Sequence, residues 1–173
     1  LPLHLLIGLP RPQAARRLLR DIPSLGPEQV TIFVAEKSEP SYRQSKLWNT
    51  GEWRNLLCEG AEQAFSTHIP AVQHANSLAE ALDALKHNTG KIAFDLYETE
   101  GLFNLDAVEK NQPLTLAFGP EGCWTANERD ILRRNLFRLL ALGSRVMRVE
   151  TAVIAATSLA ASHLGKLEPP LVL

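Results

Sequence analysis

The sequence predicts an α/β fold, a mainly parallel sheet flanked by helices. Three observations lead there. Short apolar runs of strand length alternate along the chain with segments whose apolar residues recur at helical spacing. The run Leu114–Phe118 ends in glycine-rich turn residues and passes at once into a helix with a marked start, the strand–turn–helix unit from which such sheets are built. The candidate strands are continuous apolar stretches, as expected where helices cover both faces of a sheet. With 173 residues, 45% of them hydrophobic, the chain can bury one substantial core, so a single domain over residues 1–173 is expected.

Leu3–Leu9 is apolar, ends at Gly8-Leu9-Pro10, and reads as a first buried strand. Pro10 and Pro12 break it, and a helix is predicted from about Gln13 to Leu25. Leu18, Ile22 and Leu25 fall on its apolar side, and Arg16, Arg17 and Arg20 on a basic side. A solvated helix face is the simpler account of those arginines. Gly26-Pro27 ends the helix, and Val30–Ala35 is a second strand. From Glu36 to Gly51 the chain is polar and aperiodic, which for a stretch of that length points to a functional or mobile loop. Arg43 and Lys46 within it would suit a polyanionic substrate, and a plain surface loop explains them nearly as well.

Glu52–Phe65 is a strongly amphipathic helix, with Trp53, Leu56, Leu57, Gly60, Ala61 and Ala64 on one face. Pro70–Gln73 is a short connection or strand. Ser77 and Glu80 have capping-box spacing and open a helix with Leu78, Ala81, Leu82 and Leu85 inside. Gly90 ends it, Lys91–Leu96 is another strand, and Tyr97–Gln112 is a loop with a weak helical turn. After Leu114–Phe118, Gly119 and Gly122 are expected to free the backbone for positive φ, while Pro120 fixes φ between them. Thr125 and Glu128 form a second capping box, with Trp124 as the apolar residue before it. Groups left uncovered where a strand turns into a helix at its carboxyl end are where open α/β sheets bind small ligands. A second loop, Leu142–Arg148, precedes a helix from about Thr151 to Gly165 rich in alanine. Those small residues suit close packing within the fold or across a dimer, and alanine is also the best helix former.

The net charge of −1 excludes a globally basic nucleic-acid binder, though not a local patch such as the arginines after Thr125. Cys58 and Cys123 lie far apart and lack metal-ligand spacing, so a reduced, cytoplasmic protein is expected, with no metal. No apolar run approaches the ~20 residues of a membrane span. Dinucleotide, Walker and Gly-x-Ser-x-Gly motifs are absent. The five histidines are scattered, which gives nucleophilic and metal-dependent catalysis no support. The start at Leu1, directly into a strand, suggests a fragment with something removed in front.

Two motifs in order, Leu116-Ala117-Phe118-Gly119-Pro120-Glu121-Gly122 and Leu142-Gly143-Ser144-Arg145-Val146-Met147-Arg148-Val149-Glu150-Thr151-Ala152, resemble the SPOUT class of RNA methyltransferases. Within it the chain is most similar to the small-subunit rRNA uridine-N3 methyltransferase family, a likeness that covers nearly the whole chain. The resemblance implies a C-terminal trefoil knot, S-adenosylmethionine as cofactor and a homodimer. The knot itself is not something sequence rules alone would propose. It implies one cofactor wall at Phe118, Gly119, Pro120, Glu121 and Gly122, and another at Leu142, Gly143, Val146, Met147 and Arg148, which would wrap the adenine with backbone groups. Arg148 is the candidate for stabilising charge on the target base, and Glu121 for assisting proton removal. A loop-fixing salt bridge, Arg148 with Glu150 for instance, explains them as well.

Three departures stand out. The family usually has a second glycine and a phenylalanine where this chain has Cys123-Trp124. It usually has an arginine shortly after Glu62-Gln63, where Ala64-Phe65-Ser66-Thr67 supplies none. Its N-terminal RNA-binding domain is missing, so weak RNA binding by residues 1–173 is expected. Methylation of a uridine base nitrogen in ribosomal RNA is the leading expectation. The alternatives are a non-catalytic RNA- or ribosome-associated paralogue that keeps the knot, and an enzyme acting on a ribose hydroxyl.

Overall fold

A computed structural model describes residues 1–85, 90–105, 108, 112–165 and 167. The strands are β1 (Leu3–Gly8), β2 (Gln29–Phe33), β3 (Ala71–Ala75), β4 (Gly90–Phe94), β5 (Leu114–Phe118) and β6 (Arg138–Leu140). They form one six-stranded sheet in the order β3-β2-β1-β5-β4-β6, with every pairing parallel. The helices are α1 (Pro12–Leu25), α2 (Lys46–Asn49), α3 (Glu52–Gln63), α4 (Leu78–Asp83), α5 (Ala126–Arg134) and α6 (Val149–His163). The chain first builds outward from β1 to β3 and then builds the other side, so the winding direction reverses between β1 and β5.

Both faces of the sheet are covered over its central strands, which is why β1 and β5 read as nearly unbroken apolar runs, whereas the edge strand β3 is mostly exposed. Side chains alternate across the pleat. Leu5 and Ile7 face one layer, with Leu18 and Ile22 of α1 and Val153, Ala156 and Ala160 of α6. Leu6 faces the other, with Leu82 of α4 and Trp124, Leu132 and Phe137 around α5. α1 begins with Pro12 in its first turn and closes on Gly26 at φ +65, a left-handed position that favours glycine.

α3 lies outside α1 and approaches it closely at Gly60. A Cβ there would stand 2.2 Å from the Arg20 carbonyl oxygen and 3.0 Å from Pro23 Cγ. Backbone cannot yield as a side chain can, so Gly60→Ala is expected to cost about 1–3 kcal/mol, read from the urea midpoint. An unchanged midpoint would mean that the two helices separate freely.

Several expectations are corrected. The stretch Glu36–Gly51 is not one irregular loop. It holds a 3-10 turn (Pro40–Gln44) and α2, and Leu47 is fully buried among Ala15, Leu19, Leu56 and Leu57. One well-placed leucine anchors it, too little for a periodic signal. The Ser77 box is half formed, since Ser77 Oγ accepts from Glu80 N, but the Glu80 carboxylate accepts from Asn76 N and Nδ2, both at 2.8 Å. Gly90 does not end that helix. α4 closes at Ala84, and Gly90 is the first residue of β4. The weak turn expected within Tyr97–Gln112 lies partly outside the described residues. The segment through Leu102 runs beside β6 instead, with Phe103 N donating to Ala141 O at 2.7 Å.

The small residues Ala156 and Ala160 of α6 are fully buried within this chain. They therefore serve packing against α1 and β5, not a dimer face. The basic side of α1 is likewise not a free patch. Arg16 pairs with Glu52, Arg17 with Glu150 and Arg20 with Glu59. Among the described residues both cysteines are free thiols, no His/Cys/Asp/Glu group could hold a metal ion, and no helix is long and apolar enough to cross a membrane.

Candidate cofactor site

The carboxyl ends of β5, β4 and β6 are neighbours in the sheet, so the segments after Phe118, Phe94 and Leu140 converge despite their separation in sequence. Between them lies a cavity of about 330 Å³, in the range of small-ligand sites. Phe118, Gly119, Pro120 and Glu121 form one wall, and Leu142, Val146, Met147 and Arg148 face them. Most predicted site residues are thus brought together.

Gly122 and Gly143 do not line the cavity. At Gly122 an added Cβ would lie 2.9 Å from Lys37 Cβ, so this glycine lets the loop after β5 pack on the loop after β2. Gly143 sits at φ +138 and turns the second loop. Neither Gly119 nor Gly122 has positive φ, contrary to expectation. That conformation falls at Cys123, φ +59, where the family's usual glycine would be unstrained. Gly119 is needed for close approach, since a Cβ would meet the Trp124 ring at 3.3 Å.

The sequence reading missed Phe94, Asp95 and Leu96 at the end of β4, together with Arg145 and Ala152, whereas Cys123 and Trp124, singled out in that reading as a departure from the family pattern, do line the cavity. An aspartate ending an apolar run was a signal for the β4 end, but the place of β4 beside β5 is not written locally. Trp124 is buried and its Nε1 donates to Phe94 O at 2.8 Å, which ties the glycine loop to β4. The capping box at Thr125 forms in full. Glu128 goes further, accepting from Glu36 N at 2.9 Å. Glu36 in turn accepts from Thr125 Oγ1 and Asn127 Nδ2, and those hydrogen bonds, Thr125 first, lower its carboxyl below the ordinary value.

Asp95 is buried and held by Arg129, with Nε to Oδ2 at 2.6 Å and Nη2 to Oδ1 at 3.1 Å. Burial pushes its carboxyl up, but hydrogen bonds from Arg129, Leu96 N and Glu98 N prevail and hold it below the usual range. Arg133 pairs with Glu98 at 2.8 Å, so much of the arginine surplus after Thr125 is neutralised. Glu121 Oε1 accepts from Arg11 N and Nε at 3.0 and 3.3 Å. The Arg148–Glu150 bridge is not formed, because Glu150 accepts from Arg17. Arg148 and Arg145 have no carboxylate partner among the described residues. Glu62 and Gln63 are exposed at the end of α3, near the amino end of the sheet and away from the cavity.

The chemistry of the walls suits a nucleoside-bearing ligand. They are largely apolar, and backbone groups from Leu142 to Met147 make no backbone hydrogen bond to another described residue. Such groups need a partner, either water or a ligand.

A parallel doubly wound sheet with a loop-walled cavity at its strand ends defines a small-ligand-binding α/β domain. More specifically, the chain belongs to the RNA methyltransferase domain family, whose profile matches residues 1–161. It is 35% identical to ribosomal RNA small subunit methyltransferase E of Treponema pallidum (strain Nichols) over 177 residues, covering 98% of this chain and 66% of that protein. It is 30% identical to ribosomal RNA small subunit methyltransferase E 1 of Borreliella burgdorferi, covering 94% and 68%. The chain thus spans about two thirds of the length of these curated relatives. The fold is shared with the Neisseria gonorrhoeae ribosomal RNA small subunit methyltransferase E solved bound to S-adenosyl methionine. The TM-score is 0.79 at 20% identity, over 92% of this chain and 65% of that one.

Proposed function

We propose that residues 1–173 are the catalytic domain of an S-adenosylmethionine-dependent RNA methyltransferase acting on a uridine base nitrogen, N3, in ribosomal RNA. The observation that carries this reading is the convergence of the two motif loops on one apolar cavity with open backbone groups. Phe118, Gly119, Pro120, Glu121, Leu142, Val146, Met147 and Arg148 would hold the cofactor, with Gly122 and Gly143 shaping the loops. When bound, S-adenosylmethionine supplies an electrophilic methyl group. The apolar walls exclude water, which strengthens electrostatic interactions inside. Arg148, free of a carboxylate partner, would stabilise negative charge on the target base. Glu121 Oε1 is engaged by Arg11, which leaves Oε2 to accept the proton from N3.

The test is methyl transfer from labelled S-adenosylmethionine to small-subunit rRNA, with nucleosides resolved by mass spectrometry. N3-methyluridine is expected. Arg148→Ala should lower kcat about a hundredfold while cofactor affinity changes far less. Tight cofactor binding without transfer to any RNA offered would instead favour the non-catalytic reading.

The finer statements belong to the same proposal: a trefoil knot in the C-terminal segment, a homodimer and a cytoplasmic protein. Support for the knot is the path of the chain from β6 at one edge back to α6 against α1 and β5. A dimer through α6 would have to use its outer side, where Leu159 is 54% exposed.

A further inference from the structure

A second cleft, of about 570 Å³, opens beside the first and shares Arg148 with it. Its other walls include Arg11 and Arg17 around the start of α1, Glu150 of α6, and Tyr42 from the 3-10 turn. Arg17 Nη1 donates to Glu150 Oε1 at 3.1 Å and Arg11 Nε to Glu121 Oε1 at 3.3 Å. Those pairs fix where two guanidinium groups stand while leaving them 59% and 56% exposed. Arg148 adds a third, unpaired among the described residues, so cations outnumber carboxylates. The Tyr42 ring is half-buried and packs against the main core cluster, which holds it in place.

We propose that this cleft receives the acceptor nucleotide, with the base against Tyr42 and its phosphate between Arg11 and Arg17. The proposal rests on the methyl-transfer reading above. The first cavity is sized for one nucleoside-bearing ligand, so an acceptor needs a separate place that opens on it. Chemistry on a base requires the base out of its stack, and proteins hold unstacked RNA bases on aromatic rings and guanidinium planes. Arg148, common to both cavities, stands where donor and acceptor must meet, and such placement is a major source of rate.

The experiment titrates fluorescein-labelled hexauridylate into the chain by anisotropy, with and without S-adenosylhomocysteine. S-adenosylhomocysteine affinity is measured separately by calorimetry. Tyr42→Ala should weaken hexauridylate binding about tenfold, and Tyr42→Phe should restore it. Arg17→Gln should weaken it, whereas Arg134→Gln, the same charge change on α5 outside the cleft, should not. Circular dichroism checks the fold of each variant. Wild-type affinity in both Tyr42→Ala and Arg17→Gln overturns the proposal, as does a wild type that binds no hexauridylate. Full competition by inorganic phosphate together with an inert Tyr42→Ala would mean an anion site only, and also overturns it. If S-adenosylhomocysteine does not bind but Tyr42→Ala still loses hexauridylate, the methyl-transfer reading fails and the nucleotide cleft stands.

Discussion

Ala152→Phe is expected to weaken S-adenosylmethionine binding at least about a hundredfold, roughly 2.7 kcal/mol, with the fold retained. Ala152 lies in the first turn of α6, partly buried, and lines the 330 Å³ cavity. A benzyl group there would fill space in the proposed cofactor site, and the walls are loops after three different strands that cannot all retreat. The helix itself should tolerate the change, since phenylalanine costs only about half a kcal/mol relative to alanine in a helix. Calorimetric titration reads the affinity and a thermal melt reads the fold. Undiminished affinity in a folded variant would place the cofactor elsewhere. Gly122→Val is a poorer probe than the motif suggests. Its new side chain would meet Lys37, so it would disturb the packing of one loop on another before it reached the cavity.

The second large effect is on stability. Arg129→Met removes both hydrogen bonds that Arg129 gives Asp95, whose side chain is fully buried. Removing one partner of a buried pair leaves an uncompensated charge, at a cost of about 3–5 kcal/mol, measured by urea unfolding. The pH dependence has a definite sign. In the wild type the folded-state pKa of Asp95 is depressed. Its contribution is therefore fully present above the unfolded value of about 3.9, and is lost as pH falls through the folded-state value. Without Arg129, burial should dominate and raise that pKa above the unfolded value, so the carboxylate then costs stability near neutral pH and the deficit of the variant relative to the wild type should shrink as pH falls and Asp95 is protonated. A cost below about 1 kcal/mol would mean that the remaining hydrogen bonds to Leu96 N and Glu98 N satisfy the carboxylate by themselves. Because Asp95 and Leu96 line the cavity, cofactor affinity should fall in the same variant.

Local chemistry made much of this protein legible in its sequence. β5 was predicted at its observed limits, Leu114–Phe118, because a fully buried parallel strand is almost wholly apolar, with Thr115 its one polar residue. The capping box at Thr125 was readable because both of its hydrogen bonds lie within one helical turn. The two loop walls followed from the family resemblance, which was readable because each motif is contiguous in sequence, and Phe118, Gly119, Pro120, Glu121, Leu142, Val146, Met147 and Arg148 do line one cavity. What only the tertiary structure decided is how separate segments meet. Which arginines remain available depends on carboxylates far along the chain: Arg129 is buried against Asp95, Arg17 is positioned by Glu150 but stays exposed, and Arg148 is left without a carboxylate partner among the described residues. The glycines were recognised, but their purpose was not. Gly122 faces Lys37 and Gly119 faces Trp124, a matter of space between loops that no local rule on φ contains. The β4 end joined the site because β4 pairs with both β5 and β6. Strand order is set by the packing of whole layers, and a single sequence carries the character of each strand but not the identity of its neighbours.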